Sequence, residues 1–110
     1  MQTTSAVWMV YATAANRAEA ERLAGALIEA KAAACVNILG PITSIYEWKG
    51  QVERSEEYAL IAKTTEAGWP DVERIMRAHH SYECPCMVAW PLGAGHAPFL
   101  DWVRGQVRAG

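Results

Sequence analysis

Residues 79–87 read His-His-Ser-Tyr-Glu-Cys-Pro-Cys-Met, placing imidazole, phenol, carboxylate and thiol groups within one short stretch. Such a mixture could ligate a soft or borderline metal ion, or pair a thiol with a base for nucleophilic chemistry. Each residue type also has a structural use. His79 lies three positions after Met76 and seven after Val72, on the apolar stripe of a helix, and reads as a packed side chain near the helix C-terminus. His80 falls beyond that stripe, at the helix exit, where a side chain can face a cleft. Tyr82 and Glu83 follow in a loop. Cys84 and Cys86 are two apart in an extended segment and point the same way. Their Cα atoms would be ~6.6–7 Å apart, at the limit of disulfide geometry. They read as two small buried strand residues with free thiols, since the CxC spacing is not the CxxC of zinc ribbons or redox sites.

The elements that must position these groups follow from periodicity. Val7–Thr13 is β-branched and aromatic, hence a strand, and it is apolar on both alternating faces. Asn16 with Glu19 forms an N-cap and capping-box pair opening a helix to about Ala30, with Ala20, Leu23, Ala24, Leu27 and Ile28 on one stripe. An extended run starts at Ala33, bends around Gly40-Pro41 and turns at Lys49-Gly50; Glu57–Thr64 is the returning strand. Gly68-Trp69-Pro70 opens a second helix striped by Trp69, Val72, Ile75, Met76 and His79. Cys84–Pro91 is a fourth strand, and a terminal helix carries Phe99, Leu100, Trp102 and Val103. The order predicts an α+β chain: a ferredoxin-like βαββαβ plait with a C-terminal helix.

In that fold helices cover one sheet face. Here Trp8 and Val10 oppose Val7, Met9 and Tyr11, and Cys84, Cys86, Val88 and Trp90 oppose Met87 and Ala89. Both faces are apolar, so the second is expected to be buried against other subunits. The aromatic pair Tyr46 and Trp48 shares one strand face beside the turn and suits an inter-subunit anchor.

With 110 residues the chain is expected to be one domain, 1–110. Its net charge of −2 comes without any basic run, which argues against nucleic acid or an anionic membrane as partner. No apolar run approaches a membrane span, and three cysteines do not make a complete disulfide framework, so a cytoplasmic location is expected. The motifs GxSxG, GxGxxG, HExxH and the P-loop are all missing, so no enzymatic activity is expected.

Five stretches, in order and spacing, resemble the CutA family of divalent-cation-tolerance proteins. They are AACVNI (33–38), SIYEWKG (44–50), EEYALIAKT (56–64), HSYECP (80–85) and FLDWV (99–103). The resemblance implies a ferredoxin-like protomer assembled as a homotrimer, with hairpin strands reaching between subunits. It also implies tolerance to copper and other divalent cations. Carried over residue by residue, Cys35 matches the signature cysteine, and His80, Tyr82 and Glu83 match a group lining the inter-subunit cleft. The chain departs from the family pattern at Ser81, where proline is usual, at Cys86, where glutamate is usual, and at Trp90 and Ala12.

The leading expectation is therefore a trimer that binds copper or another divalent metal ion weakly at inter-subunit clefts. Its ligands would be His80, Glu83 and Cys35, with Tyr82, Cys86 and Lys63 lining the cleft; thiol and imidazole favour copper or zinc over harder ions. The alternative is a small-molecule-sensing signalling or scaffold trimer, similar to the PII proteins, without specific metal binding. Its clefts would take a small anion or metabolite through Lys63 and the aromatic pair.

Overall fold

A computed structural model describes residues 5–108. Its elements run β1 (Val7–Ala14), α1 (Arg17–Glu29), β2 (Cys35–Trp48), β3 (Gln51–Thr65), α2 (Trp69–His79), β4 (Met87–Pro91) and α3 (Ala97–Gln106). The strands form one antiparallel sheet in the order β2-β3-β1-β4. That order is the one a βαββαβ plait requires.

Local chemistry explains most boundaries. Asn16 caps α1, its side chain accepting the Glu19 N–H at 2.8 Å. The return half of the capping box differs from expectation: the Glu19 carboxylate accepts the Ala15 N–H at 2.8 Å rather than that of the cap residue. Trp48 pairs with Gln51, leaving Lys49 (φ 54°) and Gly50 (φ 81°) as the whole turn. Positive φ at both positions is the type I′ geometry that matches strand twist. Because so tight a turn brings the strands into register at once, β3 starts at Gln51, six positions earlier than expected. Gly40 is needed for space as well as for its φ of 158°, since a Cβ there would lie 2.5 Å from the Tyr58 ring. The β2–β3 register shifts here, between Leu39 and Ile42.

The fourth strand is shorter than the sequence suggests. It begins at Met87, and Cys84 and Cys86 are exposed loop residues rather than buried strand residues. Two causes are visible. Pro85 has no N–H to give to a ladder, and pairing with β1 stops at Ala12 opposite Met87. One step further along β1, the Thr13 carbonyl is taken by His80.

The main core joins Val10, Ala12 and Ala14 of β1 with Leu60 and Ala62 of β3, covered by Leu23 and Leu27 of α1 and Val72 and Met76 of α2. A smaller cluster ties Val7 to Val103 and Val107 at the C-terminal helix. His79 leaves the expected stripe and is exposed. On the opposite sheet face the register aligns Trp90, Met9, Lys63 and Cys35 in one row and Val88, Tyr11, Ile61 and Asn37 in the next. Val88 and Trp90 remain 53% and 41% exposed there. The apolarity of both sheet faces is thus real, and the second face carries large uncovered side chains.

Candidate ligand cleft

Where α2 ends, His80 adopts an extended conformation (φ −80°, ψ 142°) and turns its ring inward against β1. Its side chain is 0% exposed. Nε2 lies 2.7 Å from the Thr13 carbonyl, and Nδ1 lies 3.1 Å from the Tyr82 amide nitrogen. A carbonyl only accepts and an amide N–H only donates, so the ring is the neutral tautomer with its proton on Nε2. Beside it, Glu19 is 3% exposed and accepts the Ser81 N–H at 2.7 Å as well as that of Ala15. Burial alone would raise the Glu19 carboxyl pKa. The hydrogen bonds from Ala15 and Ser81 outweigh it and hold this carboxyl below the usual carboxylate range. The Ser81 bond uses a backbone N–H that proline lacks, so the departure from the family pattern at this position adds a contact.

Past this knot the chain opens into a cleft of ≈480 Å³. One wall is the β2 arm with Tyr46 and Trp48; the other is the loop from Ser81 through Glu83, Cys84 and Cys86. Thr13, Glu57 and Tyr82 complete the lining. Glu57 is only 6% exposed, and the Tyr82 hydroxyl donates to it at 2.7 Å. Burial first, then this bond and the Glu57 charge, push the Tyr82 phenol far above its ordinary pKa. Tyr82 is therefore a neutral donor at any physiological pH. Its ring also leans on His80, with centroids 4.7 Å apart, which couples the cleft to the knot.

The expected site residues divide. Tyr82, Glu83 and Cys86 line the cleft, as do Tyr46 and Trp48. His80 lies behind it with both ring nitrogens engaged, so a metal ion would have to displace a hydrogen bond to reach it. Lys63 and Cys35 are not in the cleft. They pair across β2 and β3 on the uncovered sheet face, where the Lys63 ammonium donates to the Asn37 side-chain oxygen. Cys35 is aligned with a β3 position six residues from Glu57, roughly 20 Å away at the rise of a strand. His80, Glu83 and Cys35 therefore do not converge within one protomer. Among the described residues no group of three His, Cys, Asp or Glu side chains is arranged to hold a metal ion.

Glu57, Thr13, Ser81 and Cys84 were not expected in the site. Glu57 carried a usable signal: it shares the alternating phase of Ala59 and Ile61 in an otherwise apolar strand segment. An acid at such a position needs a specific partner.

Residues 8–106 match the family model of the CutA1 divalent ion tolerance protein. The chain belongs to the CutA1 family. The divalent-cation tolerance protein CutA of Archaeoglobus fulgidus is 45% identical over 98 residues, which cover 89% of this chain and 95% of that protein. The CutA of Thermus thermophilus is 40% identical over 87% of this chain and 93% of its own length. The chain spans only about half the length of plant and mammalian relatives, 56% of the rice protein and 52% of the human one. In three dimensions the crystal structure of rice CutA1 superposes with a TM-score of 0.94 at 37% identity, covering 99% of this chain and 100% of that one. A CutA structure from A. fulgidus gives 0.89 at 42% identity, covering 93% and 99%. The family is named for ion tolerance and for no catalysed reaction. The expected cytoplasmic location is overturned. The A. fulgidus structure is described as that of a periplasmic protein, and the rice and Arabidopsis relatives as chloroplastic. An incomplete disulfide framework and the lack of a membrane-length apolar run were not enough to set an address. Among the described residues, no helix is long and apolar enough to cross a membrane.

Proposed function

We propose that this chain is a single-domain CutA1 protein that works as a homotrimer and binds copper or another thiophilic divalent ion weakly at clefts between subunits. The observation that supports it is the donor set at the cleft mouth: Glu83, Cys84 and Cys86 line one loop, and both thiols are free and exposed. Thiolates and a carboxylate suit copper or zinc far better than magnesium or calcium. One protomer offers too few converging ligands for a tight site, in keeping with weak binding completed by a neighbouring subunit. The trimer is favoured by the uncovered row of Val88, Tyr11 and Ile61 and by the exposed Tyr46 and Trp48 on the projecting hairpin. The ligand set expected from sequence shifts accordingly, from His80 and Cys35 to the thiols of the cleft loop.

Sedimentation and copper titration test the two parts separately. A trimer at micromolar concentration is expected, with copper affinity lowered at least tenfold in the Cys84→Ser/Cys86→Ser double variant. A stable monomer removes the first part. Copper binding unchanged in the double variant removes the second.

A further inference from the structure

We propose that Cys84 and Cys86 close a reversible disulfide within the cleft loop, and that this bridge switches off the metal site proposed above. The switch rests on that metal reading, whereas the bridge rests on the loop alone.

In a strand, residues two apart hold their Cα atoms ~6.6–7 Å from one another, at the outer limit of a disulfide. That restriction does not apply here. β4 begins at Met87, and Cys84 and Cys86 lie in the loop before it, so the chain between them is not held extended. A bend at Pro85 brings the two Cα atoms nearer, into the usual ~5.5–6 Å. The proline ring fixes one of the two soft dihedrals of that residue, so less freedom is lost when the bridge closes.

The loop is fastened on either side and loose in between. Tyr82 is held by its N–H on His80 and its hydroxyl on Glu57, and Met87 by its pairing with Ala12. Among the described residues, positions 83–86 make no backbone–backbone hydrogen bond, and neither thiol belongs to a core cluster. Closure therefore breaks no ladder and opens no cavity. Both thiols sit on one loop, so the bridge needs no open cleft. A neighbouring subunit over the mouth would slow a reagent without changing the partner. Cys35 is out of reach within a protomer. It lies on β2, at the opposite sheet edge from β4, three strand spacings of ~4.8 Å away.

The oxidant is a low-molecular-weight disulfide such as glutathione disulfide. One loop thiolate attacks a sulfur of it, forms a mixed disulfide and expels one small thiolate. The second loop thiolate attacks the protein sulfur of that mixed disulfide and expels the other. Two protein thiols thus give up two protons and two electrons, and one small disulfide becomes two thiols. Excess small thiol reverses both steps. A bridge spanning a single residue is strained, and strained bridges are the labile, regulatory kind. Thiolate is the metal-binding form of cysteine, so closure leaves Glu83 alone among the donors of the cleft mouth.

To test this, reduced full-length protein is equilibrated with glutathione disulfide, blocked with N-ethylmaleimide in denaturant and digested with trypsin. Cleavage after Arg77 and Arg104 puts Cys84 and Cys86 on one peptide, and cleavage after Lys31 and Lys49 puts Cys35 on another. The first peptide should be unlabelled and lighter by two hydrogens, with Cys35 labelled, and dithiothreitol should reverse the change. Cys84→Ser and Cys86→Ser, each lacking the second nucleophile, should stop at the glutathione adduct. Zinc does not oxidise thiols and so reads the switch. The bridged protein should bind it at least tenfold more weakly than the reduced one. Glutathione left on the loop cysteines of the parent, bridges between chains, or a bridge to Cys35 would overturn closure. Equal, measurable zinc affinity in the reduced and bridged forms would overturn the switch. A reduced protein that binds no zinc would count against the metal reading alone, with closure still judged from the peptide map.

Discussion

The loop after α2 has two halves that differ in nearly every physical respect. His80 and Ser81 are tied inward: a neutral imidazole between the Thr13 carbonyl and the Tyr82 amide, and an N–H on the buried Glu19. Glu83, Cys84 and Cys86, only a few positions on, face outward with ionisable groups that line a cleft. The first half holds the end of α2 against β1 and the start of α1. The second half can then stand off the sheet edge and form a wall. Rigidity in one half makes the open geometry of the other possible, and substitutions should separate the two roles.

Glu19→Ala should give the largest effect. It strips the acceptor from two backbone N–H groups, those of Ala15 and Ser81, around a side chain that is 3% exposed. Each buried donor left unsatisfied costs ~1–3 kcal/mol, so a loss of about 3 kcal/mol is expected in chemical denaturation. A loss under about 1 kcal/mol would mean that water replaces the carboxylate at little cost.

His80→Ala should follow, at about 2 kcal/mol, because it frees the Thr13 carbonyl and the Tyr82 amide and leaves a void behind the cleft. His79→Ala should stay within about 0.5 kcal/mol, as for other exposed positions. This reverses the assignment suggested by the helical stripe, and the pair of variants decides between the two. Equal destabilisation by both would show that the helix continues past its observed end.

The pH dependence sharpens the same contrast. The Glu19 carboxyl is held below its unfolded value, so its contribution is fully present above about pH 4.3 and is lost as pH falls through the lower folded value. The stability difference between the parent and Glu19→Gln should accordingly shrink as pH is lowered below about 4. A difference that grows on acidification would carry the opposite sign and contradict the assigned hydrogen bonds.

What was legible in the sequence follows the range of the interactions. Asn16 as a cap, Lys49-Gly50 as a turn and Pro70 in the first turn of α2 all act on their near neighbours, and each was read correctly. The fold followed from their order. The two histidines were exchanged because a helical wheel holds only while the helix lasts. His80 has left it, and its partner is Thr13, at the far end of the chain. The same contact, together with Pro85, shortens β4, so one long-range bond contributes to both misreadings. Cys35 and Lys63 were joined to the loop in the sequence reading, whereas strand register places them roughly 20 Å along the sheet from Glu57, six residues away on β3. Register depends on where the β2–β3 turn and shift fall, which no single residue announces.

The smallest effect on stability, and the clearest on reactivity, belongs to the outer half. Cys84 and Cys86 are exposed and free, while Cys35 is half-buried in β2. A thiol reagent added to the folded, reduced protein should react quickly at Cys84 and Cys86 and more slowly at Cys35, with all three available once the chain is unfolded. Accessibility alone sets this order. The Cys84→Ser/Cys86→Ser variant should lose the fast phase and keep its stability within about 0.5 kcal/mol, because neither side chain fills a core position. If the neighbouring subunits of a trimer close over the cleft mouth, the fast phase should slow as protein concentration rises through the assembly range. A fast phase of constant rate across that range would place both thiols outside any subunit contact and move the proposed metal site to the open surface of the protomer.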